Sequence, residues 1–170
     1  MSDRPTDQPT VQPSDQPSDH PSPIDQPLTA SPEKLHAWQL ALRVFAAPAD
    51  TNPYGDIFGG WLLSQADIAA ATVAVARAQG RVATVAIQSF QFLAPVQVGD
   101  LVDLYARLQA SGKRSVTVDV SIWARRASKP GQTREVAQGR LVFVAVDAEG
   151  KSRRLPPLAD APIDPLAEPL

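Results

Sequence analysis

The sequence predicts an α+β fold, a single domain in which an antiparallel five-stranded sheet wraps around one long central helix. Three observations point to it. A long Ala/Leu/Val/Ile segment, from about Phe58 to Gln79, occurs once and closes at Gly80, a typical helix stop. Five other runs follow strand patterning. The gaps between the last four runs are short and carry Gly99-Asp100, Ser111-Gly112 and Pro130-Gly131, which suit turns rather than crossover helices. One helix and one sheet bury each other only if the sheet curls around the helix.

Taken in order, the first strand sets Trp38, Leu40, Leu42 and Val44 against Ala37, Gln39, Ala41 and Arg43, and ends before Pro48. The helix follows. Val82–Ala94 then stops at Pro95. Leu101–Ala110 puts Val102, Leu104, Ala106 and Leu108 on one face. Ser115–Ala127 alternates Val116, Val118, Val120 and Ile122 with Thr117, Asp119, Ser121 and Trp123. Arg134–Asp147 carries the apolar run Leu141–Val146. The order is β-α-β-β-β-β, and the last four strands are expected to form a meander. The helical segment has the length of a membrane span, but Asp67 near its middle, beside Ser64 and Gln65, argues against insertion.

Composition divides the 170 residues into three parts. Residues 1–32 hold eight of the seventeen prolines and five Asp against one Arg, with Asp-Gln-Pro recurring at 7–9, 15–17 and 25–27. Residues 1–31 are therefore expected to be a disordered tail. With no basic and apolar leader pattern, the chain reads as cytoplasmic. Residues 155–170 hold five prolines and three acids and are expected to form an irregular C-terminal tail. The domain between them, 32–154, is mildly basic: residues 33–154 carry fifteen bases and ten acids, a net of +5. That suits a small anionic ligand and is too weak for nucleic acid, because no more than two bases adjoin.

Much chemistry is excluded. The absence of cysteine removes disulfides, thiolate metal sites and cysteine nucleophiles. The two histidines, His20 and His36, lie before or at the edge of the first strand, so a Ser-His-Asp triad in the core is ruled out. Catalysis must rest on carboxylates, hydroxyls or backbone dipoles, with no cofactor or metal.

Two features remain. The loop Asp50–Phe58, rich in Asn, Pro and Gly, runs into a helix whose first turn carries Gly59 and Gly60. Free amides and the helix dipole there suit an oxyanion. The alternative is that Asp56 is simply the N-cap and the glycines permit close packing. The second feature is Asp67, on a stripe of small residues formed by Gly60, Ser64, Ala71, Ala74 and Ala78. Something packed against that stripe would desolvate the carboxylate and suit it to base chemistry; the alternative is a solvated helix face. Eleven residues separate Asp56 from Asp67, about 16 Å of helix. Within one chain they cannot act on one atom, but across a twofold dimer they can.

The run Asn52-Pro53-Tyr54-Gly55-Asp56-Ile57-Phe58-Gly59-Gly60-Trp61-Leu62, followed by Ser64-Gln65-Ala66-Asp67, resembles the helix entry of YciA-like acyl-CoA thioesterases, of the hotdog-fold superfamily. The resemblance continues through Gly80-Arg81-Val82, Phe92–Val96 with Gly99-Asp100, and Val144–Asp147 with Gly150-Lys151. It implies hydrolysis of fatty acyl-CoA to free acid and CoA, with CoA as part of the substrate. It further implies Asp67 as base or nucleophile, Asp56 and Asn52 completing the catalytic set from the opposing subunit, and amides around Gly59 and Gly60 polarising the carbonyl. Related enzymes are trimers of dimers, so a homodimeric active unit within a hexamer is expected. Lys113, Arg114 and Ser115 stand where the family holds CoA, and Arg125 and Arg126 are candidates for its 3′-phosphate; solvated surface charge is the alternative. A thiolate leaves without a strong acid, which fits a core lacking histidine. A competing reading is a hotdog module that binds acyl-CoA as a sensor without turnover.

Overall fold

The computed structural model describes residues 35–126, 128–129 and 131–158. The disorder expected for residues 1–31 lies outside the described residues, as does most of the C-terminal tail; residues 155–158 carry neither helix nor strand. The elements are β1 (Gln39–Phe45), a 3-10 turn (Pro48–Asp50), α1 (Gly59–Ala78), β2 (Val82–Phe92), β3 (Leu101–Ser111), β4 (Ser115–Arg125) and β5 (Thr133–Ala145). All five strands form one antiparallel sheet in the order β1-β3-β4-β5-β2.

That order corrects the expected meander. Only β3-β4-β5 follow one another through hairpin-like turns. β2 crosses the sheet to pair with β5, and β1 takes the place beside β3. Turn residues show where strands end, whereas the partner of β2 is decided by which edge the 20-residue helix returns it to. Helix α1 touches every strand, so the sheet does curl around it.

Alternation explains the core. Val102, Leu104, Ala106 and Leu108 of β3, and Val116, Val118, Val120 and Ile122 of β4, are all at most 1% exposed. They belong to one cluster with the helix residues Leu62, Ala66, Ala69, Ala70, Val73 and Ala74. Alanines keep the helix thin enough for the sheet to close over it. A register shift between Leu40 and Leu42 breaks the alternation expected of β1. Leu42 and Val44 pack against the core, whereas Trp38 and Leu40 are exposed.

The opposite face of the sheet is polar and ionic. Asp103 accepts hydrogen bonds from Arg43 and Arg125, and Asp119 accepts from Arg140 at 2.6 Å and, through a longer contact of 3.4 Å, Arg107. Burial alone would push the Asp103 carboxyl up, but the two guanidiniums overcome that and hold it below the usual carboxylate range. The Asp119 hydrogen bond in turn raises the Arg140 guanidinium.

At its far end α1 stops with Gln79 in the left-handed region (φ 48°). Gly80 follows at φ 149°, and a side chain there would meet the Arg153 guanidinium at 2.8 Å. Arg153 uses that space to donate to the Ala78 and Val146 carbonyls, satisfying the helix terminus.

Candidate active site

The helix entry is a closed, self-bonded loop. Thr51 bridges to Ile57, the Asn52 amide donates to the Asp56 carbonyl at 2.7 Å, and Phe58 donates to the Asp50 carbonyl at 2.9 Å. The Asn52 side-chain oxygen accepts from the Tyr54 and Asp56 amides, an Asx turn that Gly55 completes at φ 89°. Asn52 thus fixes the loop with its oxygen, and among the described residues its side-chain NH2 makes no hydrogen bond. Asp56, Tyr54 and Phe58 are exposed, Tyr54 at 92%.

Helix α1 begins at Gly59 with Phe58 as N-cap, and no side chain bonds to that cap. Asp56 is therefore neither the N-cap nor a helical residue, and the eleven residues between Asp56 and Asp67 are not all helix. Their separation along the protomer stands, because Asp67 lies two turns inside the helix. The two glycines differ. A Cβ on Gly59 would meet the Phe92 ring at 3.0 Å, so close packing accounts for this glycine. A Cβ on Gly60 would meet nothing within 4 Å. Glycine costs a helix roughly 1 kcal/mol relative to alanine, and no packing inside this protomer accounts for that cost at position 60.

Asp67 sits on the open part of the small-residue stripe. Gly60 and Ser64 are exposed, Asp67 and Ala71 half-buried, and Ala74 and Ala78 buried. The desolvation expected of Asp67 is thus incomplete in one protomer. Thr84 of β2 donates its hydroxyl to the Asp67 carboxylate at 2.7 Å. Sequence reasoning missed Thr84, which is an ordinary strand residue and becomes informative only once β2 lies beside the helix. β2 itself is an edge strand, exposed at all but Val82 and Phe90, with Val85 at 56% and Phe92 at 57%.

An apolar cleft of about 380 Å³ opens beside the helix start, lined by Ile57, Phe58, Leu62, Phe92, Leu93 and Val96. The basic candidates separate into two groups. Val82 pairs with Ala145 and Ser115 with Val144, so Arg81 and Lys113–Ser115 flank the same end of β5. There Arg114 donates to Ser152 at 2.9 Å, while the Lys113 side chain is exposed. Arg125 and Arg126 lie at the other end of β4, about 33 Å away at strand spacing. Both are engaged: Arg125 with Asp103, and Arg126, only 14% exposed, with Asp100 at 2.8 Å. The fold does not bring them to the end of the sheet where Lys113 and Arg114 lie.

Among the described residues no acidic, histidine or cysteine cluster could hold a metal, and no helix is long and apolar enough to cross a membrane.

Residues 54–129 match the family model of the thioesterase superfamily. The chain is 50% identical over 119 residues to the acyl-CoA thioester hydrolase YciA of Escherichia coli strain K12, covering 69% of this chain and 90% of that one. A hexameric thioesterase from Yersinia pestis superposes with a TM-score of 0.66 at 48% identity, over 69% of this chain and 95% of the other. An acyl-CoA hydrolase of Staphylococcus aureus, solved with butyryl-coenzyme A and coenzyme A, gives 0.64 at 30% identity over 75% of each chain. By its fold, its helix entry and these likenesses, the chain belongs to the YciA-like acyl-CoA thioester hydrolases of the thioesterase superfamily.

Proposed function

We propose that the protein hydrolyses fatty acyl-CoA to the free acid and CoA in a site shared by two copies of the chain. The observation that carries this reading is Asp67, gripped by Thr84 beside an unpaired sheet edge, with Gly60 facing open space on the same stripe. Pairing β2 with β2 of a second copy about a twofold axis would cover the exposed edge. It would also set the two helices side by side in opposite directions. Asp67 of one protomer then approaches the Asn52–Gly60 entry of its partner. Trimers of such dimers agree with the hexameric relatives.

In this site the Gly59 and Gly60 amides bind the thioester oxygen as it becomes an oxyanion. Asn52, with its free NH2, and Asp56 orient the carbonyl and the attacking group. Asp67 acts on the carbonyl carbon as nucleophile or through a water whose proton it takes. The carbon–sulfur bond breaks and CoA leaves as thiolate. The acyl chain runs into the cleft lined by Phe58, Leu62 and Phe92. The pantetheine arm follows the helix for about 16 Å, the rise from Asp67 to Ala78, towards Arg81, Lys113, Arg114 and Ser115, which hold the phosphates. Arg125 and Arg126 are structural in this reading.

Thiol release from acyl-CoA tests it. Asp67→Asn should lower kcat about 10³-fold while leaving the fold and assembly intact. Full activity in that variant overturns the assignment, and stoichiometric binding without turnover by the natural sequence favours the sensor. If Asp67 is the nucleophile, it forms an acyl–Asp67 anhydride that water then cleaves to the acid and the free carboxylate, and a single turnover in ¹⁸O-water that leaves label in Asp67 identifies this covalent route.

A further inference from the structure

The last turn of α1 holds a buried charge that the proposed chemistry does not use. Arg77 is 7% exposed; among the described residues it is the one buried cation, and no carboxylate there pairs with it. Burial pushes its guanidinium below the usual arginine value. The negative end of the helix offsets part of the cost of burying that charge. Its donors go to two neutral oxygens: Nε donates to the Ser111 hydroxyl at 3.2 Å and Nη1 to the Pro156 carbonyl at 2.9 Å. One planar fork thereby ties the end of β3 to the chain beyond β5.

That chain is laced down as a strap. A turn from Asp147 to Gly150, with Gly150 at φ 80°, sends it back along the end of β5. Ser152 then bridges to Val146, the Arg153 amide donates to the Ala145 carbonyl at 2.8 Å, and the Leu155 amide donates to the Lys113 carbonyl at 2.9 Å. Leu155 also packs against the core. The Arg114 carbonyl accepts from the Ala145 amide, and the Arg114 side chain donates to Ser152. The β3–β4 turn is thus held through Ser111 by Arg77 and through Lys113 and Arg114 by β5 and the strap, while the Lys113 and Arg114 side chains stay exposed. We propose that Arg77 and residues 152–156 position this turn, fixing Lys113 and Arg114 where they meet the phosphates of CoA. The inference rests on the reading that those phosphates bind at this end of the sheet.

A turn released from the strap is competent for only part of the time, and apparent affinity falls by that fraction. The test compares two substrates on the full chain: an acyl-CoA, and the same acyl group on pantetheine, which lacks the phosphates. In Arg77→Met, which keeps the bulk and removes the fork, KM for acyl-CoA should rise about tenfold with kcat within about twofold. Both parameters for acyl-pantetheine should hold. Ser152→Ala should show the same pattern at about threefold. Ser152 is exposed, so this variant keeps its fold and decides alone if Arg77→Met does not fold. An unchanged KM for acyl-CoA in either folded variant overturns the proposal and leaves the catalytic reading standing. So does an equal loss on both substrates, which would make the strap a general stabiliser. If the natural sequence itself turns over the two substrates with equal kcat/KM, the phosphates make no contact here. That result removes the phosphate end of the catalytic reading, and the proposal with it.

Discussion

β2 and β4 are both 11 residues long and lie in the same sheet, yet they are finished to different degrees. β4 is paired on both sides and buries every residue of its apolar face. β2 is paired on one side and exposes Val85, Ile87 and Phe92. The protomer closes its core around β3, β4 and β5 and leaves open the strand that holds Thr84 against Asp67. On the proposed catalytic reading, stability and chemistry fall to different strands.

Substitutions should separate the two roles. Among the substitutions that contrast the two strands, the largest effect is expected from Val85→Lys combined with Ile87→Lys, which places like charges across a β2–β2 contact. Sedimentation should show loss of the dimer and activity should fall about 100-fold, with circular dichroism unchanged, because both side chains are exposed in the protomer. Retained assembly would remove β2 from the interface. Ile122→Ala in β4 should do the reverse, costing about 3 kcal/mol in denaturant unfolding while kcat of the folded enzyme holds. Thr84→Val removes one hydroxyl from the Asp67 carboxylate and should lower kcat about 10-fold with little change in KM or melting temperature. The smallest effect lies on the outer face. The folded Asp103 carboxyl lies below its unfolded value, so its contribution is complete above about pH 4 and is lost as pH falls through the folded value. Asp103→Asn should flatten that acid limb of the stability curve.

The helix and all five strands were legible from periodicity and punctuation, with ends displaced by no more than two residues. Pairing was not, because alternation says which face a residue takes and nothing about which neighbour a strand finds. The same limit hid Thr84, 17 residues beyond Asp67 and unremarkable until β2 crosses to the helix. The bulge in β1 left no mark in an unbroken alternation, which set Trp38 and Leu40 in one row with Leu42 and Val44. Asp56 was legible as a loop residue from Pro53 and Gly55, but the cap fell on Phe58, a residue with no capping side chain. Asp119 showed as a polar position on an alternating strand, whereas Asp103 was not singled out. Their guanidinium partners come from four different places in the chain, a convergence no local pattern encodes.

The open space before Gly60 makes position 60 a gauge. Because its own protomer offers nothing for a side chain to strike, alanine, serine and valine placed there in turn would measure, in steps of one or two atoms, how near the outside occupant comes. An enzyme engineer could narrow the gap at this point without disturbing the packed interior.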